Sequence, residues 1–125
     1  MNEPKRILVV DDDAFIRRPL LYMLEQEGFV ASSAVDGDDC LRRIAAAAPD
    51  LVLLDVMMPG RDGFTVCRAL KQDPRWADIP VILLSAKGQE SDRVRGLALG
   101  AADFLTKPYS PADLLQRVRR HLARA

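Results

Sequence analysis

Five short apolar runs, each passing into a stretch of helical periodicity, constrain this chain more than any other feature. The runs occupy residues 6–10, 29–34, 51–54, 81–84 and 103–106 and are rich in leucine and β-branched residues. Such near-continuous apolar runs predict parallel strands covered on both faces. A strand–helix unit repeated five times with right-handed crossovers predicts a doubly wound α/β domain, a five-stranded parallel sheet in the order 2-1-3-4-5. The helical signals fit that frame. After the first run, Ile16, Leu20, Met23, Leu24 and Glu27 fall at helical spacing, with Asp13 placed to cap the start and Gly28 the stop. Pro19, inside that helix, predicts a kink in the first two turns. Near the end of the chain Ser110 caps a helix, Pro111 suits its first position, and Leu114, Leu115, Val118 and Leu122 form one apolar stripe.

At 125 residues the chain has room for a single domain, expected to span residues 1–125. Its 49% apolar and 29% charged content excludes a disordered or collagenous chain. Eighteen Lys and Arg against eighteen Asp and Glu leave no net charge, so no whole-chain field would hold nucleic acid or an anionic membrane. No run approaches the roughly 20 apolar residues of a membrane span. The opening segment runs straight into three aspartates, unlike a secretory signal, so a cytoplasmic location is expected. Cys40 and Cys67 fall on separate predicted helices without metal-ligand spacing, as reduced, packed thiols would. Arg117, Arg119, Arg120 and Arg124 near the last helix C-terminus read as a solvated face favoured by the helix dipole, not a nucleic-acid contact.

Chemistry in such a fold belongs at the carboxyl ends of the strands, where strand order reverses. The first run ends in Asp11, Asp12 and Asp13, and the third in Asp55. With Asp13 assigned to the helix cap, Asp11, Asp12 and Asp55 converge on the crevice between strands one and three. Three carboxylates there repel one another unless a cation is present. Oxygen-only ligands select a hard divalent ion, and a shallow site open to water and phosphate suits Mg2+. The fourth run leads into Ser85 and the fifth into Lys107, adding a hydroxyl and an ammonium to the same rim. A carboxylate nucleophile, a metal site and fixed donors are what phosphoryl transfer to a side chain requires.

These residues resemble the receiver domain of two-component response regulators. The likeness runs from residue 5 to residue 122 and rests on Leu8-Val9-Val10-Asp11-Asp12, Leu53-Leu54-Asp55 with Met58-Pro59-Gly60 and Asp62-Gly63, Ser85-Ala86, and Lys107-Pro108. The resemblance implies that Asp55 is the phosphoacceptor and that Asp11, Asp12, Asp55 and the Met57 carbonyl hold Mg2+. It also implies that Lys107 pairs with the phosphoryl group, that Ser85 hydrogen-bonds it, and that Phe104 is the aromatic switch residue. Met57 and Lys87 occupy positions that tune access of water, and the Lys107-Pro108 peptide is expected to be cis. Residues 87–97 and the tail resemble the subfamily whose receivers precede a winged-helix DNA-binding domain. There, ion pairs join two receivers through the fourth helix, fifth strand and fifth helix, and Arg93 with Asp113 and Asp103 with Arg117 match two of them. Phosphorylation-dependent homodimerisation is expected through that face, either within a longer regulator or in a free-standing receiver. The one histidine, His121, is predicted to be an exposed helix residue, so the phosphoryl donor is a separate histidine kinase or phosphotransfer protein.

Two other functions compete at this stage. The Asp11-Asp12-Asp13 run is also similar to the start of haloacid-dehalogenase-like phosphohydrolases, with Asp11 as nucleophile and Asp13 as acid–base. That reading lacks a later acidic pair and a cap, and leaves Asp55 unexplained. A docking module without phosphorylation is the other, and the complete set of acids, hydroxyl and lysine argues against it. Neither a dinucleotide fingerprint nor a P-loop is present.

Overall fold

The structure, a computed structural model, describes residues 3–86 and 88–124. Its elements are β1 (Arg6–Val10), α1 (Ala14–Gln26), β2 (Val30–Ala34), α2 (Gly37–Ala46), β3 (Leu51–Asp55), α3 (Gly63–Gln72), β4 (Val81–Ser85), α4 (Glu90–Ala98), β5 (Asp103–Thr106) and α5 (Pro111–Arg124). The five strands form one parallel sheet in the order β2-β1-β3-β4-β5, as expected. Among the described residues, no helix is long and apolar enough to cross a membrane.

Strand alternation splits the core into two layers. Leu8, Val10, Val52, Leu54, Val81 and Leu83 face α2 and α3, meeting Cys40, Ile44, Phe64, Cys67 and Leu70. On the other face, Ile7, Val9, Leu51, Leu53, Ile82 and Leu84 pack against Leu20 and Leu24 of α1 and Leu114, Val118 and Leu122 of α5. Every residue of β3 and β4 is buried, which fixes the centre of the sheet and the height of the residues that end each strand. Those two strands reach one residue beyond the apolar runs, so Asp55 and Ser85 belong to the sheet itself.

The caps predicted from the sequence form. Asp13 Oδ1 accepts from the Phe15 N–H at 2.9 Å, Ser110 Oγ accepts from the Asp113 N–H at 2.9 Å, and Gly28 adopts a φ of 92° after α1. Helix α1 runs unbroken past Pro19, whose missing N–H would have served the carbonyl of the exposed Phe15, where water can substitute. The second run departs from the expected continuous burial. β2 is an edge strand, and its alternation of exposed and covered residues leaves Val30 half exposed.

His121 also corrects the sequence reading. It lies two turns after Leu114 on the inward stripe of α5, is 7% exposed, and its Nε2 stands 2.9 Å from Asp103 Oδ2. The neighbouring cations are engaged as well, with Arg117 and Arg120 on Asp103 and Arg119 on Glu27. A strand-start carboxylate that α5 covers needs donors, and α5 supplies them from three positions.

Candidate functional site

β1 and β3 are hydrogen-bonded neighbours, with Val10 beside Leu54, so the residues that follow them meet at one mouth. Asp11 and Asp55 are buried there, Asp12 is exposed, and one carboxylate oxygen of each lies within 4.8 Å of the others. Ligand oxygens around a magnesium ion held at about 2.1 Å stand roughly 3 to 4 Å apart, so a small closure suits these three to the ion.

Lys107 reaches into the cluster from the end of β5. Its Nζ donates to Asp11 Oδ2 and to Asp55 Oδ1, each at 3.2 Å. The backbone holds the lysine in place, because its N–H donates to the Ser85 carbonyl at 2.7 Å. The Lys107-Pro108 peptide is cis, as expected. The side chain of Ser85, at the end of β4, is buried on the same rim.

Charge and burial oppose one another in this cluster. Burial pushes the Asp55 carboxyl above its ordinary range; Lys107 pulls it down, but the charge of Asp11 adds to the rise. Burial alone would lower the Lys107 ammonium, yet Asp55 and Asp11 together hold it above the usual lysine range. The lysine therefore stays charged at neutral pH, while burial and Asp11 oppose the charging of Asp55.

Backbone geometry keeps Asp55 in place. Gly63 donates its N–H to the Val56 carbonyl at 2.9 Å. A Cβ on Gly63 would run into the Asp55 carbonyl oxygen and stand 2.8 Å from the Val56 Cα, so only glycine lets α3 begin this close to the strand end. Asp62, just before it, caps α3 by accepting from the Thr65 N–H at 2.9 Å. Beside the acids, a cleft of about 400 Å³ passes Met57, Asp62, Ser85, Asp92 and Arg95. The Arg95 guanidinium lies 4.2 Å over the Phe64 ring, on the wall of that cleft. Phe104 is turned inward, 6% exposed, in the core layer that holds Phe64.

The residues assigned to the dimer face lie apart from the acids and pair within the chain. Arg93 meets Glu90 at 3.3 Å, and Arg117 meets Asp113 at 3.1 Å and Asp103 at 2.7 Å. Lys87 and the side chain of Arg124 lie outside the described residues. Gly63 stands in the Asp62-Gly63 motif of the sequence, which does not by itself show the close backbone approach that requires it. Arg17, whose Nη1 donates to the Asp11 carbonyl at 2.8 Å, has no sequence signal beyond its position one turn into α1.

Comparison with known proteins gives the family and the fold. The family model for the response regulator receiver domain matches residues 7–119. The phosphate regulon transcriptional regulatory protein PhoB of Escherichia coli is 45% identical over 120 residues, covering 96% of this chain and 52% of the relative. Response regulator PleD of Caulobacter vibrioides is 52% identical over 114 residues, covering 91% of this chain and 25% of the relative. The chain thus spans about half the length of the first and a quarter of the second. Among solved structures, a putative response regulator from Chloroflexus aurantiacus superposes with a TM-score of 0.92 at 36% identity, covering 96% of this chain and 98% of the other. The BeF3-activated N-terminal receiver domain of Klebsiella pneumoniae RstA gives 0.86 at 36% identity, covering 94% and 97%.

Proposed function

This chain belongs to the response regulator receiver domains, the signalling domains of two-component systems, and on that premise we propose that it accepts a phosphoryl group on Asp55 from the phosphohistidine of a separate kinase or phosphotransfer protein. The observation that carries this is Lys107 Nζ, at 3.2 Å from both Asp11 and Asp55 within a three-carboxylate mouth. In the step, an Asp55 oxygen attacks phosphorus in line, the donor's N–P bond breaks, and the imidazole leaves with the electron pair. Asp11, Asp12 and Asp55, with the Met57 carbonyl, would hold Mg2+, which when bound supplies charge neutralisation for the phosphoryl oxygens. Lys107 then exchanges its carboxylate contacts for the phosphoryl oxygens, and the Ser85 hydroxyl donates to another. The domain thereby promotes its own phosphorylation without turning over a separate substrate.

The acyl phosphate acts through what it draws toward itself. A ligand shifts a two-state surface only by interacting differently with the two states, and Ser85 and Lys107 are the groups whose contacts change. Phe104, next along the sheet from Leu83 and close to α4, is the residue we assign to relay that change. The surface it biases is the α4-β5-α5 face, where Arg93, Asp103, Asp113 and Arg117 are placed to join two copies. In this reading residues 1–125 form one receiver domain that makes no direct nucleic-acid contact, though a fused DNA-binding output is compatible with the relatives that are transcriptional regulators. Free, buried Cys40 and Cys67, with the Cys40 thiol pushed up to about 12 by burial, suit the reducing cytoplasm.

Intact-mass spectrometry after incubation with acetyl phosphate tests the reading. A gain of one phosphoryl group that requires Mg2+ and is lost in Asp55→Asn is expected. Absence of any adduct on folded wild-type protein would return the chain to a docking module without phosphorylation.

A further inference from the structure

The three carboxylates of the mouth are not held equally. Asp11 is fixed at both oxygens, Oδ1 accepting from the Asp13 N–H at 2.9 Å and Oδ2 from Lys107 at 3.2 Å. Asp55 is held by Lys107 at 3.2 Å. Asp12 is exposed, and its carboxylate accepts no hydrogen bond among the described residues. Where that carboxylate points therefore depends on the backbone that carries it. The Asp11–Asp12 peptide is planar, so whatever fixes the Asp11 carbonyl oxygen also fixes the Asp12 N–H and the place of the Asp12 Cα from which the side chain leaves.

Sheet pairing does not fix that peptide. The Asp11 N–H bonds the Ala34 carbonyl as the last rung beside β2, and the chain then turns away toward α1. The Asp11 carbonyl instead takes the hydrogen bond from Arg17, whose side chain reaches back over the first turn of α1 to 2.8 Å. Arg17 makes no ion pair among the described residues, so its guanidinium is committed to this one backbone oxygen.

We propose that Arg17 is a positioning residue for the metal site, which presets Asp12 by holding the Asp11–Asp12 peptide. This rests on the reading of Asp11, Asp12 and Asp55 as magnesium ligands. Holding the peptide and simple electrostatics have opposite effects on metal affinity. A guanidinium beside a cation site repels the cation, so if Arg17 acted only through its charge, removing it would tighten magnesium binding. If Arg17 acts by holding the peptide, removing it loosens one of the three carboxylate ligands and weakens binding, and loss of such outer partners costs about 10- to 100-fold in metal affinity.

The test is calorimetric titration of the unphosphorylated full chain with Mg2+, comparing wild type with Arg17→Ala and Arg17→Gln, alongside thermal melting without metal. The expected result is affinity about tenfold weaker in Arg17→Ala, with Arg17→Gln, which keeps an amide donor without the charge, between that and wild type. Wild-type binding with equal or tighter affinity in both variants overturns the proposal and leaves the metal site standing. Absence of magnesium binding by folded wild type overturns the metal reading and this inference with it. Should Arg17→Ala fail to fold, Arg17→Gln decides alone, since affinity at or above wild type contradicts a positioning role.

Discussion

Asp55 carries its charge where burial and a neighbouring carboxylate resist it, and the whole site is arranged around that resistance. Its carboxyl stands above the ordinary range, so the folded state favours the neutral form more than the unfolded state does. The cost of charging is absent below the usual carboxylate range and sets in as pH rises toward and through the raised folded value. Asp55→Asn, which cannot charge, is therefore expected to melt higher than wild type at neutral pH without Mg2+. That gain should vanish in melts near pH 3. Asp103 behaves in the opposite sense. Burial would raise its carboxyl, but hydrogen bonds from His121 and the Phe104 N–H, with the charge of Arg117, hold it below the ordinary range. Its contribution is complete at neutral pH and is lost as pH falls from the unfolded value through the folded one. Removing one partner of a buried ionic cluster leaves the others uncompensated, so urea denaturation at pH 7 should show Asp103→Asn less stable by about 3 kcal/mol. Arg120→Ala, at a half-exposed position, should cost less than about 1 kcal/mol. These residues also mark what a sequence makes legible. Acids at strand ends stand out because strand ends are easily located, whereas His121 was misread because a polar residue within a basic tail looks solvated. Only the partner across the packing interface, Asp103, identifies it as buried.

At the scale of elements, the site depends on how closely α3 approaches the end of β3. A Cβ at Gly63 would collide with the backbone of Asp55 and Val56, which cannot swing aside as a side chain would. Gly63→Ala should destabilise by about 1 to 3 kcal/mol, the cost of overpacking. By displacing the backbone of Asp55, it should also slow phosphorylation by acetyl phosphate under conditions where the variant remains folded. An unchanged rate in folded Gly63→Ala would separate that contact from the chemistry. Element positions were largely readable in advance because leucine and β-branched runs alternate with capped helices. The details that escaped came from neighbours distant in sequence. The exposure of β2 follows from its place at the sheet edge, and the continuity of α1 past Pro19 is compatible with solvent at its first turn.

For the whole molecule, two features join the phosphoryl site to the α4-β5-α5 face. The sheet places Ser85 beside Thr106, and β5 carries Phe104 inward and Asp103 onto α5. The ion pairs on that face differ in how readily they can be exchanged for a partner's. Arg93 and Glu90 pair across 3.3 Å with both side chains more than half exposed, an interaction worth at most about 1 kcal/mol. Asp103 is shared among Arg117, Arg120 and His121 and gives up a contact less easily. Arg93 is thus free to pair with Asp113 of a second copy. Sedimentation of the phosphorylated protein should show Arg93→Ala shifted toward monomer relative to wild type, and an unchanged distribution would remove this residue from the interface. Strand order could be anticipated from the sequence, and so could the meeting of Asp11, Asp12 and Asp55 at one end of the sheet. The intrachain pairing of the dimer-face residues could not, since a list of charges does not say which of several nearby partners a guanidinium will meet.

The phosphoryl group is expected on a single side chain, that of Asp55, and chemical trapping locates it. Protein phosphorylated by acetyl phosphate with Mg2+ would be reduced with borohydride, which converts an aspartyl phosphate to homoserine, then digested and sequenced by mass spectrometry. Homoserine at position 55 alone, absent without Mg2+, is the predicted result. Homoserine at position 11 with Asp55 intact would contradict it and place the nucleophile at the end of β1, as in a phosphohydrolase.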